Sequence, residues 1–264
     1  MPEGDAIALF RFRLEERLVN HELTLISSRW DSRIKGLGRE KIIAVKAHGK
    51  VLWLEFSDDT ALVVHLGMKG RWRFSDTQSK NSSDGKDGLA LATPAGTAVL
   101  RLPKVLDRVP TSRIFEHQRL RWVGPDILAD DVNMAEIIVN ARAKDSEDKD
   151  IAELLLDQEI CAGPGNIFKC ETLAALRLHP WTPANVLNDA RLHDVYSKTR
   201  ETMLGRLAGK LDPAIARTRP FLPLVYQRHK EGCRRCGNEV VVEEHGGEHS
   251  RLTWWCPICQ TLES

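Results

Sequence analysis

Four of the six cysteines fall in two pairs, Cys233-x2-Cys236 and Cys256-x2-Cys259, separated by 19 residues. Four thiolates at this spacing can close a tetrahedral zinc site at the base of a β-hairpin. The intervening VVVEEHGGEHSRLTWW supplies a strand-like run on each side of HGGEH. Four sulfur ligands leave no open coordination position, so the expected metal is one structural zinc per chain. His245 and His249 lie in the turn and are read as solvated residues rather than ligands. A second feature is LLLDQEICAGPGNIFKCETLAAL, residues 154–176. Gly163 and Gly165 allow a tight turn and a close backbone approach. Asn166 then starts a helix, whose free N–H groups and dipole suit a phosphate. A plain pair of packed helices would carry the same text, and the segment alone leaves both readings open. The third feature is the start, Met1-Pro2-Glu3-Gly4-Asp5. Removal of Met1 would expose Pro2 as a secondary amine, and an α-amino group titrates near ~7.7–8, leaving a good share nucleophilic at working pH. Attack on a sugar aldehyde carbon would give an iminium with no N–H proton to lose. Glu3 can shuttle protons at the same atom. Proline at the second position is common, and alone this start decides nothing.

These groups must be held by something. Ile7, Phe10, Leu14 and Leu18 recur at helical steps, which predicts a helix over 4–19. IIAV, VLWLEF, ALVVHL and RWRF read as strands, with SDDT as a turn. Residues 75–88 read as an exposed polar loop, and further strands are expected over 89–123. Beyond that the text turns acidic and helical over 130–158. A second helix is expected near 167–178, a long one near 186–209, and then proline-containing loops and the cysteine-rich tail. Cys161 and Cys170 are read as buried thiols. The expected division is a β-rich domain over 1–125, a helical domain over 130–225 and a zinc finger over 229–264.

The net charge is only +1, but it is unevenly spread. Residues 29–73 hold ten Lys/Arg against five acids, and residues 126–159 hold eleven acids against three bases. Such polarity lets one face meet a polyanion, although an acidic linker beside ordinary basic strands would look the same. No apolar run is long enough to span a membrane. The N-terminus lacks a signal-peptide pattern and the cysteines are paired for metal, which predicts an intracellular, cytoplasmic protein.

The start MPEG, then AHGKVLWLEF, HLGMKG, LLLDQEICAGPGNIFKCETL and a C-terminal CxxC…WWCPICQ occur in this order. Together they resemble the formamidopyrimidine-DNA glycosylase and endonuclease VIII family across nearly the whole chain. The resemblance implies an α+β fold: an N-terminal β-sandwich opened by a helix, a helix–two-turn–helix domain and a zinc-finger hairpin. It implies damaged DNA as the partner, and a bifunctional glycosylase and abasic-site lyase, expected to act as a monomer. Pro2 would be the Schiff-base nucleophile and Glu3 the catalytic acid/base. Lys50, Asn166 and Arg251 would hold backbone phosphates. Met68, in HLGMKG, would be the wedge that fills the gap left by a flipped nucleotide, or else a core methionine. Purine-specific members begin MPELPE, whereas Ala6 stands here at the sixth position. That points to the endonuclease VIII branch and to oxidised pyrimidines. Two alternatives stay open: an oxoguanine-specific member of the same family, or a non-catalytic zinc protein that binds damaged DNA.

Overall fold

The computed structural model describes residues 2–23, 25–28, 40–76, 87–144, 149–218, 220–246 and 250–262. The chain divides into two compact units, Met1–Trp122 and Val123–Ser264.

The first unit opens with α1 (Gly4–Leu18) and continues through β1 (Leu25–Ser28), β2 (Ile42–His48), β3 (Val51–Phe56), β4 (Thr60–His65), β5 (Arg71–Ser75), β6 (Asp87–Thr93), β7 (Gly96–Arg101) and β8 (Val105–Pro110). The strands form two four-stranded antiparallel sheets, ordered β1-β6-β7-β5 and β2-β3-β4-β8. Ile7, Leu14 and Leu18 of α1 share one core with Leu52, Leu54 and Leu62 of one sheet and Leu89, Leu91 and Leu100 of the other. Burying each such side chain contributes about 1.5–3 kcal/mol. Every residue of β3 is buried, so VLWLEF reads as a continuous apolar run rather than an alternating one. Its outer residues Val51 and Trp53 pack with Ala61, Val63, Ile114 and Leu120. That cover corrects one expectation. Strand structure ends at Pro110, and Thr111–Glu116 winds into a 3-10 turn. Winding, rather than extending, is what lets Ile114 cap the outer face of β3. Of the expected loop over 75–88, residues 77–86 lie outside the described residues, and Asp87 already belongs to β6.

The second unit comprises α2 (Met134–Lys144), α3 (Ile151–Leu156), α4 (Asn166–Leu176), α5 (Asp189–Leu211), α6 (Pro213–Thr218) and the hairpin β9 (Val241–His245) and β10 (Arg251–Trp255). Capping is explicit in the sequence. Asp150 and Glu153 form a reciprocal capping box on α3, and Asn188 accepts from the Arg191 N–H at the head of α5. Such a cap contributes about 1 kcal/mol. Ile137, Leu154, Phe168, Leu192, Tyr196 and Met203 meet in one core. A separate cluster of Cys170, Ala174, Val225, Val240 and Trp254 joins α4 to the hairpin. Cys161 and Cys170 are both buried. The proline-containing stretch after α5 is not all loop: Pro213 opens α6, where its missing N–H costs nothing. Among the described residues, no helix is long and apolar enough to cross a membrane.

Candidate DNA-processing site and metal centre

In the first unit, Glu3 is the N-cap of α1: its carbonyl accepts from Ala6 and Ile7 at 2.9 and 3.1 Å. Its side chain makes no capping hydrogen bond and is buried, only 3% exposed. The carboxylate is therefore not spent on holding the helix. Pro2 precedes it, half-buried, and Met1 lies outside the described residues.

Lys50 stands in the two-residue loop between β2 and β3, where Gly49 takes a positive φ of 56°. The register then adds groups that the sequence reading missed. His65 is the cross-strand partner of both Val51 and Val105. Lys50 and Lys104 immediately precede those two residues, so three strands bring Lys50, His65 and Lys104 to one end of the sheet. Burial pushes the His65 imidazole down to about 4, assisted by the charges of Arg119, Lys104 and Lys50. His65 is thus neutral at neutral pH, beside three cations. Its Nδ1 is shielded and has no hydrogen-bond partner among the described residues. The one available signal was the His of HLGMKG itself. Met68 occupies the next turn, closed by the Gly70 N–H on Leu66 O at 3.1 Å. Gly67 is required there: it has φ +64°, and a Cβ on it would stand 2.8 Å from Lys104 Cβ. Met68 is 76% exposed, which excludes the core-methionine reading.

In the second unit, Gln158 organises the turn between α3 and α4. Its Nε2 donates to Leu156 O and Pro164 O at 2.9 and 3.0 Å, and its Oε1 accepts from Gly163 N at 3.1 Å. Gly163 has φ +113°. Gly165 is the N-cap of α4 and gives it no side-chain hydrogen bond. Asn166 Nδ2 donates to Leu252 O at 2.8 Å, and the buried Lys169 Nζ donates to Thr253 Oγ1 at 2.6 Å. Both contacts stitch α4 to β10, the strand that begins with the exposed Arg251. Buried Glu171 accepts the N–H groups of Leu224, Val225 and Tyr226 at 2.6, 3.0 and 2.8 Å. That holds the approach to the first cysteine pair.

The ligand atoms of Cys233, Cys236, Cys256 and Cys259 all lie within 4.8 Å of one another, and Cys236 Sγ and Cys256 Sγ are 3.5 Å apart. Four thiolates around an ion at ~2.3 Å would stand about 3.8 Å apart, so the cluster fits a metal ion. Its electrostatics ask for one. A hydrogen bond from the Asn238 side chain lowers the Cys236 thiol to about 6, whereas burial and then its sulfur neighbours push Cys259 up to about 12. All four sulfurs can be thiolates together only with a cation among them. His245 is not a solvated turn residue, which corrects the reading above. It is buried, meets Asp150, and lies against the Trp181 ring. His249 lies outside the described residues. A further cavity of about 610 Å³ is lined by Thr202, Arg206, Ile215 and Phe221, with the Arg206 guanidinium against the rings of Phe168 and Phe221.

A two-sheet unit opened by a helix, then a unit in which a tight helix–turn–helix is stitched to a four-cysteine hairpin, is the architecture of a class of DNA glycosylases. Comparison with known proteins makes this specific. The model of the formamidopyrimidine-DNA glycosylase N-terminal domain matches residues 1–102, and that of the formamidopyrimidine-DNA glycosylase H2TH domain matches residues 123–212. A probable endonuclease 8 2 of Streptomyces coelicolor is 32% identical over 98% of this chain and 94% of its own length. A formamidopyrimidine-DNA glycosylase of Corynebacterium glutamicum is 28% identical, covering 98% and 99%. An Escherichia coli endonuclease 8 is 29% identical, covering 98% and 100%. The crystal structure of Lactococcus lactis formamidopyrimidine-DNA glycosylase bound to DNA containing an abasic site matches with a TM-score of 0.80 at 23% identity, over 98% of this chain and 99% of that one. The chain belongs to the formamidopyrimidine-DNA glycosylase family, which includes endonuclease 8. It is an enzyme of DNA repair, a DNA glycosylase and abasic-site lyase by class.

Proposed function

We propose that this enzyme excises oxidised pyrimidines from DNA through a Schiff base at Pro2 and then cuts the strand on both sides of the lost base. The observation that carries this reading is the pair at the head of α1: a proline amine followed by a buried carboxylate that makes no cap. The Pro2 nitrogen attacks C1′, the C1′–N bond of the damaged base breaks, and the base leaves with a proton. Glu3 protonates O4′ as the sugar ring opens, which gives the iminium. That cation acidifies the C2′ proton. Its loss expels the 3′ phosphate oxygen in a β-elimination, and a second elimination expels the 5′ phosphate oxygen. Water then frees Pro2 from the sugar remnant, leaving a one-nucleotide gap with phosphates at both ends. Lys50, Asn166 and Arg251 grip the backbone, and Met68 fills the space of the extruded base. The four cysteines hold one zinc ion, whose contribution is to fix the hairpin fold.

The test is borohydride trapping on DNA with an abasic site. The wild-type chain should become covalently attached. Pro2→Gly, which leaves a primary amine, should trap weakly but detectably. Absence of any wild-type adduct would favour the non-catalytic reading.

Phosphate contact has its own signature. Lys50→Ala and Arg251→Ala should each weaken binding to all sequences alike and lower the salt slope by about one unit. A changed lesion preference at unchanged slope, in a binding titration against salt, would remove these residues from the backbone.

Lesion choice rests on the start MPEGD and on residues 206–233, which carry α6 and three prolines and no long Gly/Ser-rich run. Few groups there could read the far edge of a purine, and a smaller ring needs fewer. Thymine glycol should be excised faster than oxoguanine opposite cytosine in otherwise identical duplexes. Equal rates would reverse the assignment of branch.

A further inference from the structure

Nothing in the spacing of the cysteines says what holds the outer end of the hairpin, where Arg251 stands. The contacts of Asn166 and Lys169 secure β10 at Leu252 and Thr253. The end itself is secured from β9. His245 Nε2 meets Asp150 Oδ2 at 2.5 Å, across 95 residues of chain, and the two side chains are only 4% and 13% exposed. Asp150 has two separate duties. Its Oδ1 accepts the Glu153 N–H at 3.0 Å and caps α3, while its Oδ2 faces the hairpin. His245 in turn is the register partner of Arg251. Residues directly opposite in an antiparallel pair share a face, with Cβ atoms about 4.5–5.5 Å apart. An anchor on His245 therefore sets where the Arg251 backbone can be.

The surroundings reinforce the anchor. The Trp181 ring lies 4.5 Å from the His245 ring, centroid to centroid, at 31°. Trp255 and His179 extend this aromatic wall, with ring centroids 4.3 Å apart. Among the described residues, the charged and titratable groups near the pair include Lys149 beside Asp150, Glu153 on α3, His179 beside Trp181, Arg251 opposite, and Glu243 and Glu244 on β9. Neither Asp150 nor His245 has any part in the chemistry of Pro2 and Glu3.

We propose that Asp150 and His245 form a positioning pair for DNA binding, one that fixes the end of the hairpin so that Arg251 meets a backbone phosphate already ordered. The proposal rests on the reading of Arg251 as a phosphate ligand. An arginine on an untethered hairpin end must be ordered at the moment of binding, and an anchored strand has met that cost beforehand.

A double-mutant cycle on DNA affinity tests it. Asp150→Asn keeps an oxygen for the α3 cap and removes the charge facing His245. Affinity for a duplex with a reduced abasic site should fall about five- to tenfold, at unchanged metal content and with single-turnover rates at saturating DNA close to wild type. In an Arg251→Ala background the same substitution should add less than a twofold loss. His245→Gln, which leaves the cap untouched, should reproduce both results and be non-additive with Asp150→Asn. This second variant keeps the test valid if the first proves unstable. Equal losses with and without Arg251 would show a structural effect only and overturn the proposal, as would full affinity in His245→Gln. If Arg251→Ala alone binds like wild type, the reading of Arg251 fails first and the pair loses its object.

Discussion

Glu3→Gln should reduce excision of an oxidised base by roughly 10²–10⁴-fold, the range associated with a positioned proton-transfer group. It should reduce incision at a ready-made abasic site far less. The substitution keeps the shape of the side chain and of the α1 N-cap, because the cap uses the Glu3 backbone carbonyl and not the carboxylate. The N-cap of α1 should therefore be unaffected. The two substrates separate the steps. A damaged nucleotide needs acid help to open its sugar ring while the base is lost. An abasic sugar already equilibrates with its open aldehyde, so Pro2 can form the iminium without that help. Single-turnover rates on duplexes that differ only at the lesion would measure both. Equal losses would show that Glu3 serves the eliminations or the fold rather than ring opening.

Cys256→Ser should abolish metal binding and lower DNA affinity roughly tenfold or more, although no cysteine is proposed to touch DNA. A four-cysteine zinc site contributes on the order of 10 kcal/mol to the folding of the segment around it. Apart from the contacts to α3 and α4 described above, the core behind the hairpin is a handful of side chains, among them Cys170, Val240 and Trp254. Cys256 directly follows β10, so loss of the site frees the strand that begins with Arg251 and carries the Leu252 and Thr253 contacts to α4. Metal analysis, circular dichroism and an anisotropy titration on the same preparation would test this. A metal-free protein that keeps its hairpin and binds DNA normally would refute it.

The parts legible in the sequence are those whose cause is local. The period of Ile7, Leu14 and Leu18 gives α1, and the paired cysteines give the four-cysteine cluster, because cysteine pairs and helix faces lie a few residues apart. The parts that were not legible depend on partners far along the chain. His245 read as a turn residue because Asp150 is 95 positions away and only the packed unit brings them together. His65 and Lys104 converge through strand register, which alternating hydrophobicity does not specify. Residues 111–116 read as strand because Ile114 suits either state, and the uncovered face of β3 decides between them. The start of α6 was masked by Pro213, which ends a helix in one position and opens it in another.

Met68 carries a liability in its placement. The exposure that would let its side chain act as the proposed wedge also leaves the thioether open to peroxide. Oxidation to the sulfoxide would turn a flexible apolar tip into a polar, chiral one, and a polar tip gains less from filling an unstacked gap. The oxidised bases proposed as its substrates arise under the same oxidants. Repair capacity would then decline as damage accumulates, unless reduction of the sulfoxide keeps pace.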